Sequence, residues 1–164
     1  MLQGQLELLT VEGEGKRFTA EAGSGHAIVL DDAQGNGGPR PMEAALLALG
    51  GCTAMDVISI LRKKRQQVIA YTVELHAEQR ESPPHYFTQI QIKHRLRGRI
   101  DPAAVRRAIE LSETKYCSVS AMMQHTTRIE HSFEIEPVGE GEPATVKPAD
   151  SSGDSAQGGK EEHE

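Results

Sequence analysis

Between positions 41 and 61 the chain reads Pro-Met-Glu-Ala-Ala-Leu-Leu-Ala-Leu-Gly-Gly-Cys-Thr-Ala-Met-Asp-Val-Ile-Ser-Ile-Leu. A surface helix keeps a polar stripe facing water, and the first half of this run has almost none. The run predicts a helix over about 42–65, buried at its start and amphipathic later. The rest of the chain must therefore supply a cover for it. The four cations at 62–65 end the helix where positive charge complements the dipole.

The flanking patterns are those of strands. Residues 3–12 alternate polar and apolar before a turn at Gly13, and 16–22 and 26–32 read as two more short strands broken at Gly23-Ser-Gly. Residues 31–39 form a glycine-rich loop. Residues 68–81 and 86–99 read as long antiparallel strands joined at Ser82-Pro-Pro-His. Val73, Leu75 and Ala77 share one face by period-2 alternation, as do Ile90, Ile92 and Leu96. Asp101 is a good N-cap, and Pro102 suits the first position of a helix to about Ser112. A short helix from Cys117 to about Gln124 and a strand over 127–136 complete the pattern. Three strands, a long helix, two strands, two helices and a strand predict an α+β domain with a mainly antiparallel sheet.

That domain is expected to occupy 1–138. Residues 139–164 contain one valine as their only large aliphatic side chain and read as a disordered acidic tail. The tail carries −5 of the formal −6, so the acidic balance does not describe the body's surface. No segment approaches the ~20 consecutive apolar residues of a membrane span, and the start lacks a basic-then-apolar leader. A cytoplasmic protein with no membrane partner is expected, its thiols kept reduced.

Several function classes fall away. Lys93, Arg95, Arg97 and Arg99 share a strand face, but no aromatic side chains interleave with them, and Glu74 and Glu78 stand ready as cross-strand partners. This is a paired, solvated face, and no nucleic-acid partner is expected. The seven histidines show no ligand spacing, so neither a metal nor another cofactor is expected. Gly35-Asn-Gly-Gly lacks the Lys-Ser/Thr of a phosphate loop and is a turn.

The two cysteines remain, Cys52 and Cys117. They are too few for a disulfide scaffold and form no CxxC. A buried cysteine is ordinarily a small inert hydrophobe. Two features argue for more. Gly50 and Gly51 each cost a helix interior roughly 1 kcal/mol, which predicts a close approach by another backbone or a substrate. Cys117 stands at a helix start beside Lys115 and Tyr116, where amide dipoles and the ammonium favour a thiolate. Cys52, in an apolar mid-helix setting, needs a nearby cation for the same effect. Arg40 at the entrance of its helix is the local candidate and Arg17 the distant one. Asp56, one turn beyond Cys52, would oppose a thiolate if it faced the sulfur. It is expected to pair elsewhere, with Arg62 or a strand amide.

The stretch from Gly38 through Arg40-Pro-Met-Glu43 and Gly50-Gly-Cys52 to Arg65, with Tyr116-Cys-Ser-Val farther on, resembles the OsmC/Ohr family of osmotically inducible and organic-hydroperoxide-resistance proteins. The resemblance runs over about 1–136, and the Arg-Pro-Met-Glu form is similar to the OsmC-like subgroup. It implies an intertwined homodimer wrapped around long buried central helices, with active sites at the subunit interface. It also implies a thiol-dependent peroxidase acting on organic or lipid hydroperoxides, with Cys52 matching the attacking cysteine and Cys117 the resolving one. A dithiol reductant, such as a lipoyl protein, would restore the thiols. The family's peroxidases place a carboxylate directly after the proline to orient a catalytic arginine. Here Met42 takes that place and Glu43 follows, ~100° further round the helix. The alternative is a non-enzymatic stress or small-ligand-binding dimer with vestigial cysteines, which Met42 favours.

Overall fold

The computed structural model describes residues 1–9 and 15–138, so the expected strand end at 10–12, the Gly13 turn and the tail at 139–164 lie outside the described residues. The chain folds as β1 (Gly4–Leu8), β2 (Phe18–Ala22), β3 (Ala27–Leu30), α1 (Pro41–Lys63), β4 (Gln67–Gln79) and β5 (Phe87–Arg99). It continues as α2 (Pro102–Leu111), a π-turn (Ser112–Tyr116), α3 (Ser118–Met123) and β6 (Arg128–Glu136).

α1 begins as the sequence dictates, with proline in the first turn and the Glu43 carboxylate accepting the Arg40 backbone N–H at 2.8 Å. It ends where Arg65 takes a left-handed φ of 56° and Gln66 N–H reaches back to Leu61 C=O at 3.0 Å. Its inner stripe is Leu49, Thr53, Val57 and Leu61, spaced by four and all buried. Gly50 allows close packing on β4, since a Cβ there would sit 2.6 Å from Leu75 Cδ1.

The opposite face behaves differently. Leu47 is 60% and Met55 72% exposed. Taken as one element, α1 is long and apolar enough by length and composition to cross a membrane, with 28% of its most apolar window buried. This corrects the expectation that no segment reaches that threshold. Counting consecutive apolar residues stops at the glycines, Thr53 and Asp56, none of which interrupts the helix.

The strands divide between two sheets. β1, β2 and β3 form an antiparallel meander, and β4, β5 and β6 a second sheet in that order. The β4–β5 pairing is antiparallel and sets Leu75 opposite Ile92 and Ala77 opposite Ile90, the faces expected from alternation. β6 is the exception to antiparallel order: it joins β5 in parallel, Ile129 beside Ile90. Parallel neighbours need a crossover of a dozen or more residues, and α2, the π-turn and α3 provide it. Strand direction depends on the path of this crossover, which alternation in the strand does not record.

On the outer face of β5, Arg95 pairs with Glu74 at 2.9 Å, while Lys93 pairs with Glu134 at 3.0 Å and Arg97 with Glu136 at 3.7 Å. Lys93, Arg95 and Arg97 of the basic stripe are paired, with β6 rather than Glu78 supplying most of the acids. Beneath the sheet, Val57 and Leu61 of α1 pack with Leu96 and the α2 residues Val105, Ala108 and Ile109. A second cluster joins Leu49, Phe87, Ile90 and Ile92 to Cys117, with Cys52 packed against it.

Candidate active site

Cys52 and Asp56 are four residues apart on α1 and therefore share a face. Opposite them, α2 runs into the π-turn, which closes with Cys117 N–H donating to Ser112 C=O at 2.8 Å. This turn points the Ser112 hydroxyl back at α1, where it donates to Asp56 Oδ2 at 3.0 Å. Cys117 caps α3, its Sγ accepting the Ser120 N–H at 3.3 Å, and Thr53 Oγ1 donates to the same sulfur at 3.6 Å. The outcome is a compact cluster: Cys52 Sγ, Cys117 Sγ and an Asp56 carboxylate oxygen all lie within 4.8 Å of one another. Both cysteines are free thiols.

Two expectations change here. Asp56 faces both sulfurs and Ser112 instead of pairing with Arg62 or a strand amide, because the i,i+4 spacing leaves it on the cysteine's side. Cys117 does sit at a helix start, but its thiol is pushed up rather than activated. Burial is the largest cause, at 3% exposure, and the hydrogen bond with the Cys52 thiol adds to it. The Ser120 amide and Thr53 hydroxyl pull the other way, with less effect.

The arginines are engaged elsewhere. Arg17 Nε donates to Asp31 Oδ2 at 2.8 Å, and this bond together with the Gly37 N–H holds the Asp31 carboxyl below the usual range. Arg40 Nε donates to Glu43 Oε1 at 3.0 Å, and the pairing raises the guanidinium and lowers the carboxyl. Arg40 and Glu43 are thus held to each other. Both residues border a cleft of about 460 Å³ that also touches Met42, Leu46 and Phe87. Leu46 and Phe87 also belong to the apolar cluster that contains Cys117 and packs against Cys52.

A second polar group escaped the sequence reading. Tyr71 Oη meets His94 Nδ1 at 2.6 Å, and His94 Nε2 meets His131 Nδ1 at 3.1 Å. Burial pushes His94 down to about 4, with the His131 charge adding to the effect, and burial also lowers His131. His131 Nε2 is buried without a hydrogen-bond partner among the described residues. The signal was available: His94 alternates in phase with Ile90, Ile92 and Leu96, so the period that buries them buries it too.

Compared with known proteins, residues 33–132 match the sequence model of the OsmC-like protein family. The chain belongs to the OsmC family. Protein YhfA of Escherichia coli K12 is 46% identical over 123 residues, which cover 74% of this chain and 92% of that one. A solved structure of a hypothetical protein from Aquifex aeolicus VF5 is 32% identical with a TM-score of 0.75, covering 85% of this chain and 98% of its own. An organic hydroperoxide resistance protein OsmC from Legionella pneumophila shares 10% identity with a TM-score of 0.60, over 82% and 96% of the two chains. That last likeness is one of fold alone. Cys52, Asp56, Ser112 and Cys117 all fall inside the OsmC-like match, whereas Arg17 falls outside it.

Proposed function

We propose that this OsmC-family protein is a thiol-dependent peroxidase for organic hydroperoxides, with Cys52 as the attacking thiol and Cys117 as the resolving one. The observation that carries this reading is the proximity of the two sulfurs, within 4.8 Å across α1 and α3. Cys52 is the more exposed of the pair and Cys117 the buried one, which suits an attacking thiol reached from outside and a partner waiting behind it.

The Cys52 thiolate attacks the outer peroxide oxygen and the O–O bond breaks, giving a sulfenic acid and an alkoxide, which takes a proton from solvent and leaves as the alcohol. The Cys117 thiol then displaces water from that sulfenic acid, and the disulfide forms. A dithiol of lipoyl type returns both sulfurs to thiols and leaves as its own disulfide. The apolar cleft bordered by Met42, Leu46 and Phe87 suits the alkyl part of the peroxide. The exposed Leu47 and Met55 on α1, with Leu6 and Leu8 on β1, support a homodimer in which a second copy covers the long helix. In that assembly the stabilising guanidinium would be Arg40 or Arg17, freed from its acid or contributed across the interface.

One observation favours a second reading, a non-catalytic dimer with idle thiols. The Asp56 carboxylate, not a cation, stands beside both sulfurs, while Arg17 and Arg40 pair with Asp31 and Glu43. The test is one equivalent of cumene hydroperoxide added to reduced protein, followed by mass spectrometry. The peroxidase should lose two hydrogens, and Cys52→Ser should abolish the loss. An unchanged mass selects the second reading.

A further inference from the structure

The donor set at this site has the composition of a metal centre. Two sulfurs and a carboxylate oxygen approach within 4.8 Å of one another, and all three are anionic donors when the thiols are deprotonated. Arg17 and Arg40 make their ion pairs with Asp31 and Glu43 instead of with this cluster. A tetrahedral zinc ion takes sulfur at ~2.3 Å and carboxylate oxygen at ~2.0–2.2 Å, so its ligand atoms lie roughly 3.6–3.8 Å apart. Small side-chain rotations would bring the cluster to that spacing.

The surroundings match as well. Liganded thiolates and carboxylates are normally held by outer hydrogen bonds that fix their direction. Cys117 Sγ receives the Ser120 N–H at 3.3 Å and the Thr53 hydroxyl at 3.6 Å, and Asp56 Oδ2 receives the Ser112 hydroxyl at 3.0 Å. One donor pair comes from a single helix face at i,i+4 and the third from a separate element, so the ligands are placed by rigid structure. Cys52 and Asp56 are partly exposed, which provides an entry path.

We propose that the reduced protein binds one Zn²⁺ per chain through Cys52 Sγ, Cys117 Sγ and the Asp56 carboxylate, leaving the fourth position to water or a small ligand. Binding replaces the two thiol protons, which are released to solvent. The ion then occupies the sulfur electron pairs that would otherwise attack a peroxide. Oxidation of the two thiolates by an organic hydroperoxide, which takes up two protons and leaves as alcohol and water, joins the sulfurs in a disulfide, removes both soft donors and releases the metal. Zinc would therefore hold the dithiol in reserve, and oxidation and metal occupancy would exclude each other. The site stands apart from the peroxidase reading: it requires both sulfurs and Asp56 but no turnover.

The experiment is an anaerobic titration of the reduced full chain with Co²⁺ as a spectroscopic probe, then displacement by Zn²⁺. The expected result is a sulfur-to-cobalt charge-transfer band saturating at one ion per chain. The band should be absent in Cys52→Ser and Cys117→Ser. Zn²⁺ affinity, read by displacement with a chelator of known strength, should fall at least ~10-fold in Asp56→Asn. In the wild-type chain, Zn²⁺ should slow alkylation of both thiols at least ~10-fold, a measurement that requires no variant to fold. No charge-transfer band, unchanged alkylation, or equal affinity in Asp56→Asn overturns the proposal. A chain that fails to form a disulfide with cumene hydroperoxide yet gives the cobalt band separates the two readings, as does the reverse.

Discussion

A thiol at the first turn of a helix normally becomes more acidic, because backbone N–H groups point at it. At Cys117 the desolvation of a nearly enclosed sulfur outweighs that contribution, so its thiolate appears only above the ordinary thiol range. Iodoacetamide at neutral pH should therefore label Cys52 well before Cys117, as read by peptide mapping; labelling in the opposite order would contradict this balance. His94 gives a second test. Its folded value of about 4 lies below the ordinary 6.5, so the folded state binds this proton more weakly than the unfolded chain does. The neutral imidazole's contribution is complete above pH 6.5 and is lost as pH falls toward 4. At pH 4.5 the loss amounts to about 2–3 kcal/mol from this group. Urea midpoints at neutral and mildly acidic pH should show a smaller acid penalty in His94→Gln than in the parent chain. Residues of this kind are only partly legible in sequence. The Cys52–Asp56 spacing already put the two on one face. Which way that face turned depended on Leu49, Val57 and Leu61 choosing the core, and Asp56 shares the cysteine's boundary position beside them.

The elements were easier to read than their arrangement. The start of α1 at Pro41, the Asp101 cap and the β4–β5 hairpin each rest on contacts close in sequence, so the residues involved announce them. The parallel docking of β6 rests on a crossover, and the split into two sheets rests on where the loop at 31–39 leaves β3. Neither has a local marker. The paired glycines of α1 show the same division. Gly50 has a packing reason inside the chain, whereas a Cβ on Gly51 would meet nothing within 4 Å. Gly50→Val should force α1 away from Leu75 and cost about 1–3 kcal/mol in urea denaturation. Gly51→Ala should not destabilise the folded chain, and if it does, something outside the chain presses on that face.

At the scale of the molecule, one helix face carries the argument for assembly. Leu47 and Met55 are exposed and share a helix face with the half-buried Gly51 midway between them, so they form a single apolar stripe on the side away from the buried Leu49, Thr53 and Val57. Covering that stripe with a second copy would bury it without exposing new apolar surface. Light scattering at micromolar concentration should report the mass of two 17.9 kDa chains. Met55→Glu, which places a charge in the middle of the stripe, should shift the population to single chains at least ~10-fold. A monodisperse single chain for the parent would remove the basis for an interfacial site.

The π-turn at Ser112–Tyr116 makes one aspect of this site unusually sensitive to the arithmetic of the backbone. Its closing bond runs from Cys117 to Ser112, one residue wider than an α-turn, and the side chains of both residues bond to Cys52's helix, at Thr53 and Asp56. Deleting a single residue from the turn would let it relax to ordinary helical pitch and swing position 117 by ~100° about the axis. The two sulfurs would then part company with every side chain of the cluster still encoded. Across descendants of such a chain, a change in spacing here would retire the thiol pair as surely as the loss of a cysteine, and would leave no substitution to mark it.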